Sequence, residues 1–224
     1  RQMCIRGRRG FLPGQRGGDL ILTIDIFIQR IAEEEVRRAT LETGSRLGLI
    51  LVSDPQTGEI LATAIYPSFD LENFADYPAA NRKNIAVTDT YEPGSTFKAV
   101  TAALALEEGV ATLQSGFFDP GYIRVSGWNV RCWNRGGHGP QSFVETMQNS
   151  CNPYYAKLAI DLGPERFYDG LVRFNLGHKT GIDFPGEMAG ILRAPSPSIP
   201  LVTWANMGFG QGLTVTPVQL FACF

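Results

Sequence analysis

The spacing of apolar and polar residues predicts a chain of mixed helix and strand. Residues 19–24 are apolar enough for a strand, and Asp25 then caps a helix that ends at Gly44. The segments 47–52 and 59–66 are apolar and flank a short run of turn-forming residues, which is the pattern of a β-hairpin. The N-terminal third therefore predicts a strand, a helix and a hairpin, in that order.

The rest of the chain favours helices joined by loops. A strongly apolar helix is predicted from Ser95 to about Glu108, and Gly109 ends it. The glycine-rich residues 115–140 predict an irregular excursion without regular elements. Further helices are predicted at 141–149, at 152–163, from Pro164 and from Thr216, with a loop at 178–200.

Composition and charge describe an ordinary globular protein. Of the 224 residues, 44% are hydrophobic and 19% are charged, and the net charge is −2, so nothing favours nucleic acid as a partner. Residues 1–18 are rich in glycine and arginine without apolar periodicity, which is typical of a linker. No stretch reaches the roughly 18 consecutive apolar residues of a membrane span. The predicted organisation is a linker at 1–18 followed by one domain at 19–224.

The Ser-x-x-Lys tetrapeptide at the start of the apolar helix is the first candidate for chemistry. Ser95 and Lys98 lie three residues apart and therefore share one helix face. The helix N-terminus favours developing negative charge at Ser95, and burial lowers the pKa of a lysine so that a neutral amine becomes available as a base. Such a pair can activate a hydroxyl as nucleophile. The alternative is structural, with Ser95 as a simple helix cap and Lys98 extended to solvent.

A second polar group follows about fifty residues later, at the junction of two predicted helices. Ser150 and Asn152 form a Ser-x-Asn sequence there, and a short turn would direct a hydroxyl and an amide into a cleft. The hydroxyl could relay a proton and the amide could hold a substrate. The alternative is again capping, because Asn152 precedes a proline at a predicted helix start.

Together these motifs resemble the catalytic domain of class B penicillin-binding proteins. Tyr-Glu-Pro-Gly-Ser-Thr-Phe-Lys at 91–98 and Ser-Cys-Asn at 150–152 are similar to that family's first two motifs. The similarity extends in order and spacing over nearly the whole chain. The further matching segments are 22–25, 54–62, 137–139, 208–212 and 216–220.

The resemblance implies both a fold and a role for each matched residue. The fold is α/β, a helix–sheet–helix sandwich, and the function is cross-linking of peptidoglycan stem peptides by a D,D-transpeptidase. Ser95 would attack the D-alanine carbonyl and its backbone N–H would serve the oxyanion hole. Lys98 would take the proton, Ser150 would pass a proton to the leaving group and Asn152 would bind the substrate amide.

The same resemblance implies partners and a location. The partners are peptidoglycan stem peptides, beta-lactam antibiotics that acylate Ser95, and other cell-wall synthesis proteins, and no cofactor is implied. The location is the extracytoplasmic face of the bacterial membrane, through an upstream anchor that this chain does not contain. Alternatives on the same scaffold are a D,D-carboxypeptidase or a beta-lactamase, and a non-catalytic scaffold of wall assembly is the alternative from another class.

The family's third motif, Lys-Thr-Gly, departs from the expected pattern. The chain contains this tripeptide at Lys179, Thr180 and Gly181. Its flanking residues, however, predict a loop where the family has an active-site strand. We therefore expect this tripeptide to lie outside the active site and the true strand to follow Phe224. The chain is then a C-terminally truncated fragment with an incomplete sheet and little or no activity of its own.

The cysteines are the last candidates. None of the four forms a Cys-x-x-Cys pair, which argues against a zinc site, and no metal is predicted. Cys132 and Cys151 flank an irregular loop, and a disulfide between them would bias the Ser-x-Asn turn as a redox switch. The alternative is a pair of unlinked thiols in the core.

Overall fold

The computed structural model describes residues 17–224, in which a helix and a β-hairpin form the first unit. Helix α1 spans Ile26–Thr43, and the Asp25 carboxylate caps it by accepting the N–H groups of Phe27 and Ile28 at 2.8 and 3.1 Å. Strands β1 (Gly48–Ser53) and β2 (Ile60–Tyr66) pair antiparallel. The predicted helix and hairpin are thus confirmed.

Helices cover both faces of this hairpin. Side chains alternate along β1, so Ile50 and Val52 meet the buried face of α1, while Leu49 and Leu51 point the other way. That second face packs against α2 (Ile85–Thr88) and α8 (Pro217–Phe221). The predicted helix–sheet–helix layering is therefore present, with β1 and β2 as the only strands of this sheet within residues 17–224.

The main core lies among the central helices. These are α3 (Lys98–Glu107), α4 (Phe143–Gln148), α5 (Asn152–Leu162), α6 (Pro164–Arg173) and α7 (Leu201–Met207). Fully buried Phe97, Phe167 and Trp204 lie in one hydrophobic cluster that joins α3, α6 and α7. Burial of aromatic side chains of this size is the main stabilising contribution to such a core.

The glycine-rich excursion contains regular structure, contrary to the prediction. Strand β3 (Gly116–Asp119) pairs with β6 (Gly139–Ser142), and β4 (Tyr122–Val125) pairs with β5 (Trp128–Arg131), all antiparallel. Each strand has only four residues, and glycines with positive φ form the turns between them. Four residues are too few to show a period-2 pattern, which is why the sequence suggested a loop.

The N-terminal prediction is corrected in part. Residues 19–24 form no strand: Leu20 and Ile21 are 82% and 93% exposed, and no strand pairs with them in residues 17–224. The predicted linker at 1–18 lies almost entirely outside the described residues. The loop at 178–200 is confirmed, and no helix in the described range is long and apolar enough to cross a membrane.

Candidate active site

The nucleophile candidate lies at the entry to α3, where the backbone turns sharply. Gly94 has φ of +61° and donates its N–H to the Gly210 carbonyl oxygen at 3.0 Å. One turn of 3-10 helix at Gly94–Phe97 follows and leads directly into α3 at Lys98. This geometry exposes Ser95 on the surface, while the side chain of Lys98 is only 1% exposed. The hydroxyl is accessible and the amine beneath it is shielded.

The structure brings the two predicted motifs into contact around the Lys98 amine. Nζ lies 3.1 Å from the Ser95 Oγ, 2.8 Å from the Ser150 Oγ and 2.7 Å from both the Ser150 carbonyl oxygen and the Asn152 Oδ1. Ser150 directs two oxygens at the amine because it adopts φ of +50°, a left-handed conformation that is uncommon for a residue with a side chain. All four predicted site residues therefore meet at one atom.

These contacts can accommodate a neutral amine at Lys98. The Ser150 carbonyl and the Asn152 Oδ1 can only accept, so they take two N–H groups. A neutral amine has two N–H groups and one lone pair, and that lone pair can then accept a hydrogen bond from the Ser95 hydroxyl. Burial lowers the pKa of Lys98 from 10.5 to about 8, against an opposing effect of Cys151 and Cys132 that would raise it. The amine can therefore act as a base near neutral pH.

The capping alternatives are not supported by the structure. Pro93 occupies the cap position before the 3-10 turn, and no side-chain cap is present there. The cap of α5 is Cys151, also without a side-chain hydrogen bond, and Asn152 is the first residue of that helix. The Asn152 oxygen contacts Lys98, which lies 54 positions earlier in the sequence, so this side chain makes a tertiary contact and does not cap its own helix.

Two supporting features were missed at the sequence level. The Tyr155 ring lies 5.5 Å from the Lys98 Nζ and is fully buried, so it helps to shield the amine from water. It follows Asn152 by three residues, which places both on one helix face and was the available signal. Gly210 is the second feature: a Cβ there would lie 2.1 Å from the Gly94 carbonyl oxygen, so glycine is needed for this close approach.

The Lys-Thr-Gly tripeptide lies in a loop, as predicted. The Thr180 N–H and hydroxyl both reach one oxygen of the buried Glu187 carboxylate at 2.6 Å, and the Gly181 N–H reaches the other at 3.2 Å. These hydrogen bonds lower the pKa of Glu187, although its burial acts in the opposite direction. The tripeptide therefore anchors its own loop.

Cys132 and Cys151 are buried, unlinked thiols that lie near Asp119 and His138. Burial raises the pKa of Cys151 to about 12, so this thiol is not a ready nucleophile. The neighbouring pair was missed because the four residues show no recognised metal-binding spacing, although His138 follows Cys132 by only 6 positions. Cys223 is also a free thiol, half-buried near Phe174.

Comparison with known proteins agrees with this architecture. The family model for the penicillin binding protein transpeptidase domain matches residues 48–224. Stage V sporulation protein D of Bacillus subtilis is 41% identical over 214 residues, which cover 95% of this chain and 33% of that protein. Peptidoglycan D,D-transpeptidase MrdA of Escherichia coli K12 is 31% identical over 238 residues, covering 93% of this chain and 35% of that protein. The chain thus spans about a third of the length of these relatives.

Solved structures support the same relationship. A crystal structure described as a peptidoglycan glycosyltransferase from Burkholderia ambifaria superposes with a TM-score of 0.78 at 30% identity, covering 89% of this chain and 58% of that chain. The apo transpeptidase domain of penicillin-binding protein 3 from Burkholderia pseudomallei gives 0.77 at 29% identity, covering 89% and 55%. With the family model matching well over half of its residues, this chain belongs to the penicillin-binding protein transpeptidase family, of the class B type that its motifs resemble.

Proposed function

We propose that this chain carries the nucleophile, the base and part of the substrate site of a serine-type peptidoglycan D,D-transpeptidase. The observation that carries the proposal is the arrangement of Ser95, Ser150 and Asn152 around the buried Lys98 amine. An exposed hydroxyl 3.1 Å from a desolvated amine is the geometry that nucleophilic acyl transfer needs. The names of the relatives, which include D,D-transpeptidase, support the same reaction class.

The acylation step follows from this arrangement. The Ser95 oxygen attacks the carbonyl carbon of the penultimate D-alanine while its proton passes to the Lys98 amine. The tetrahedral oxyanion lies near the Ser95 N–H, at the N-terminal end of the helix that contains Lys98. When the C–N bond breaks, the leaving D-alanine nitrogen gains a proton through the Ser150 hydroxyl. An amine from a second stem peptide then attacks the acyl-serine, forms the cross-link and releases Ser95.

Asn152 is suited to bind the substrate backbone. Its oxygen is held by Lys98 at 2.7 Å, while its nitrogen makes only a long contact of 3.5 Å with the Arg131 carbonyl. The oriented amide can therefore donate an N–H to a substrate carbonyl. We propose stem peptides and beta-lactams as ligands, other wall-synthesis proteins as partners, and an extracytoplasmic location.

The 224-residue chain alone is proposed to have little activity. Its Lys-Thr-Gly tripeptide is bound to Glu187 in a loop, so residues 17–224 provide no strand of that motif beside Ser95. A missing oxyanion-hole donor costs about 2.7–4 kcal/mol of transition-state stabilisation. We expect acylation of this chain to be at least about a hundredfold slower than that of the complete gene product.

Labelling with a fluorescent penicillin tests the proposal. The complete gene product should become covalently labelled, and digestion with trypsin should place the adduct on the peptide 84–98, whose only serine is Ser95. Ser95→Ala should abolish labelling, while Ser45→Ala, at an exposed serine near the end of α1, should not change it. Retention of the label in Ser95→Ala would contradict the proposal, and strong labelling of the 224-residue chain would contradict its predicted inactivity.

Product analysis separates the alternatives on this scaffold. A cross-linked peptide dimer indicates transfer, while a shortened peptide acid indicates a carboxypeptidase. Rapid release of penicilloic acid indicates a beta-lactamase. Unchanged wall cross-linking in cells that carry Ser95→Ala would favour a non-catalytic scaffold.

A further inference from the structure

The hairpin of β4 and β5 presents a polar, positively charged face to solvent. The two strands pair antiparallel, and their side chains alternate between two sides of the hairpin. Val125 and Val130 point inward and are 3% and 5% exposed in the hydrophobic core. The outward side carries four exposed side chains, which we term the hairpin face: Tyr122, Arg124, Asn129 and Arg131.

The hairpin face carries two positive charges and no negative charge. Tyr122 pairs with Arg131, which makes Arg124 and Arg131 diagonal neighbours with Cβ atoms roughly 7–8 Å apart. Neither guanidinium group forms an ion pair with a carboxylate in the described part of the chain. Arg173, by contrast, is paired with Glu108 at 2.7 Å. Two unpaired like charges this close repel each other, so an anion bound between them would be stabilised.

The hairpin face adjoins the candidate active site at one end. The Asn152 Nδ2 lies 3.5 Å from the Arg131 carbonyl oxygen, and the Asn152 Oδ1 lies 2.7 Å from the Lys98 Nζ. The backbone of Arg131 is therefore next to the amide that is suited to hold the substrate. Arg124 lies further along the same face, towards the turn of the hairpin. The two arginines thus form a charged strip that leads away from the reacting groups.

A stem peptide brings a negative charge to this strip. Its C-terminal carboxylate leaves with the terminal D-alanine, but its glutamyl residue has a second carboxylate, two residues before the penultimate D-alanine. Two to three extended residues span roughly 7–11 Å. Ser95 and Asn152 contact the same Lys98 amine, at 3.1 and 2.7 Å, so a peptide of this length extends from Ser95 beyond Asn152. Its glutamyl carboxylate is then within reach of the long Arg131 side chain.

We propose that Arg124 and Arg131 bind the glutamyl carboxylate of the stem peptide, and that they select peptides in which this group is charged over peptides in which it is amidated. This inference rests on the proposed transpeptidase function and adds a specificity-determining subsite to it. A guanidinium group donates two parallel N–H groups to the two oxygens of a carboxylate. An amide offers one oxygen and no charge, so it loses both the second hydrogen bond and the attraction.

Two synthetic stem pentapeptides, identical except that the glutamyl carboxylate is free in one and amidated in the other, test the subsite. The measurement is kcat/KM for release of D-alanine by the complete gene product, because this release accompanies both transfer and hydrolysis. We expect the acidic peptide to be preferred by about fivefold or more. The preference should shrink as ionic strength rises from about 0.05 to about 0.5 M, because salt screens exposed charges. Equal rates for the two wild-type reactions would overturn the proposal.

Substitutions on the hairpin face connect the preference to these two side chains. The double variant Arg124→Gln with Arg131→Gln should reduce the ratio of the two kcat/KM values to about 1, because no guanidinium group remains. Arg131→Glu should reverse the preference, because a carboxylate at this position repels the acidic peptide. Arg46→Gln is the matched control, since it removes an exposed arginine between α1 and β1, and it should keep the wild-type ratio. An unchanged ratio in the double variant would assign the preference to another part of the molecule.

Failure of this inference can be told apart from failure of the proposed function. A fluorescent penicillin has no glutamyl residue, so its reaction with Ser95 tests the nucleophile without the hairpin face. If the wild-type protein is labelled at Ser95 and releases D-alanine equally from both peptides, the subsite is refuted and the proposed function stands. If Ser95 is not labelled, the proposed function is refuted, and the subsite with it. The wild-type comparison of the two peptides needs no variant, so it does not depend on whether the variants fold.

Discussion

The pH dependence of acylation is the sharpest test of the role assigned to Lys98. Only the neutral amine can take the Ser95 proton, so the rate should follow the deprotonated fraction of Lys98. Burial lowers the pKa of this group from 10.5 to about 8. A lysine is positively charged below its pKa, so the fraction of active base rises as pH increases.

The magnitude follows from that pKa. With a value of about 8, roughly a tenth of Lys98 is neutral at pH 7 and roughly nine tenths at pH 9. We therefore expect the acylation rate constant to rise about tenfold between pH 7 and 9 and then level off. An unshifted lysine would instead give a rate that keeps rising about tenfold per pH unit until pH 10. Tyr155 and Cys151 nearby have pKa values of about 12 through burial, so neither titrates in this interval.

The assay is the rate of covalent labelling of the complete gene product by a fluorescent penicillin, measured from pH 6 to 10. Lys98→Arg keeps the positive charge but cannot lose it, so acylation should fall by at least about a hundredfold at every pH. Lys157→Arg, at an exposed lysine of α5 paired with Asp161, should retain the wild-type profile. A flat profile between pH 6 and 9, or a rate still rising steeply above pH 9, would refute the assignment of Lys98 as the base.

Two substitutions test the packing that positions the site. The stability of each variant of the complete gene product is measured by thermal denaturation, and acylation is measured by labelling with the fluorescent penicillin. Gly210→Ala places a Cβ 2.1 Å from the Gly94 carbonyl, so we expect it to slow acylation at least tenfold as well as to destabilise the fold. Gly181 has a similar φ of +82°, but no atom lies within 4 Å of the position of an added Cβ. Gly181→Ala should therefore lower the free energy of unfolding only by the roughly 1–2 kcal/mol that a left-handed backbone costs. Equal effects at both glycines would contradict the steric argument. Phe167→Ala should cost about 3–5 kcal/mol because this ring is fully buried, whereas Phe184→Ala, at a side chain 44% exposed, should cost less than about 1 kcal/mol. Similar losses for both phenylalanines would contradict the assignment of Phe167 to the core.

The sequence predicted correctly those elements that depend on interactions between residues close together in the chain. The cap at Asp25, the hairpin and the apolar helix after Ser95 all follow from residues within one or two turns of each other. The strand at 19–24 was wrong because apolar content alone does not provide a pairing partner. The four short strands of the excursion were missed because each depends on a partner up to 26 positions away, as for Gly116 and Ser142.

By itself, the sequence determined the family, the order of the main elements and the identity of Ser95, Lys98, Ser150 and Asn152 as candidates. Spacing within a helix places Ser95 near Lys98, and motifs in the right order identify the rest. Only the tertiary structure decided that all four meet at one amine, whose burial lowers its pKa to about 8. It also decided that the side chains of Asp119 and His138 lie beside those of Cys132 and Cys151. Both results depend on contacts between segments far apart in sequence and on burial, which no local pattern encodes.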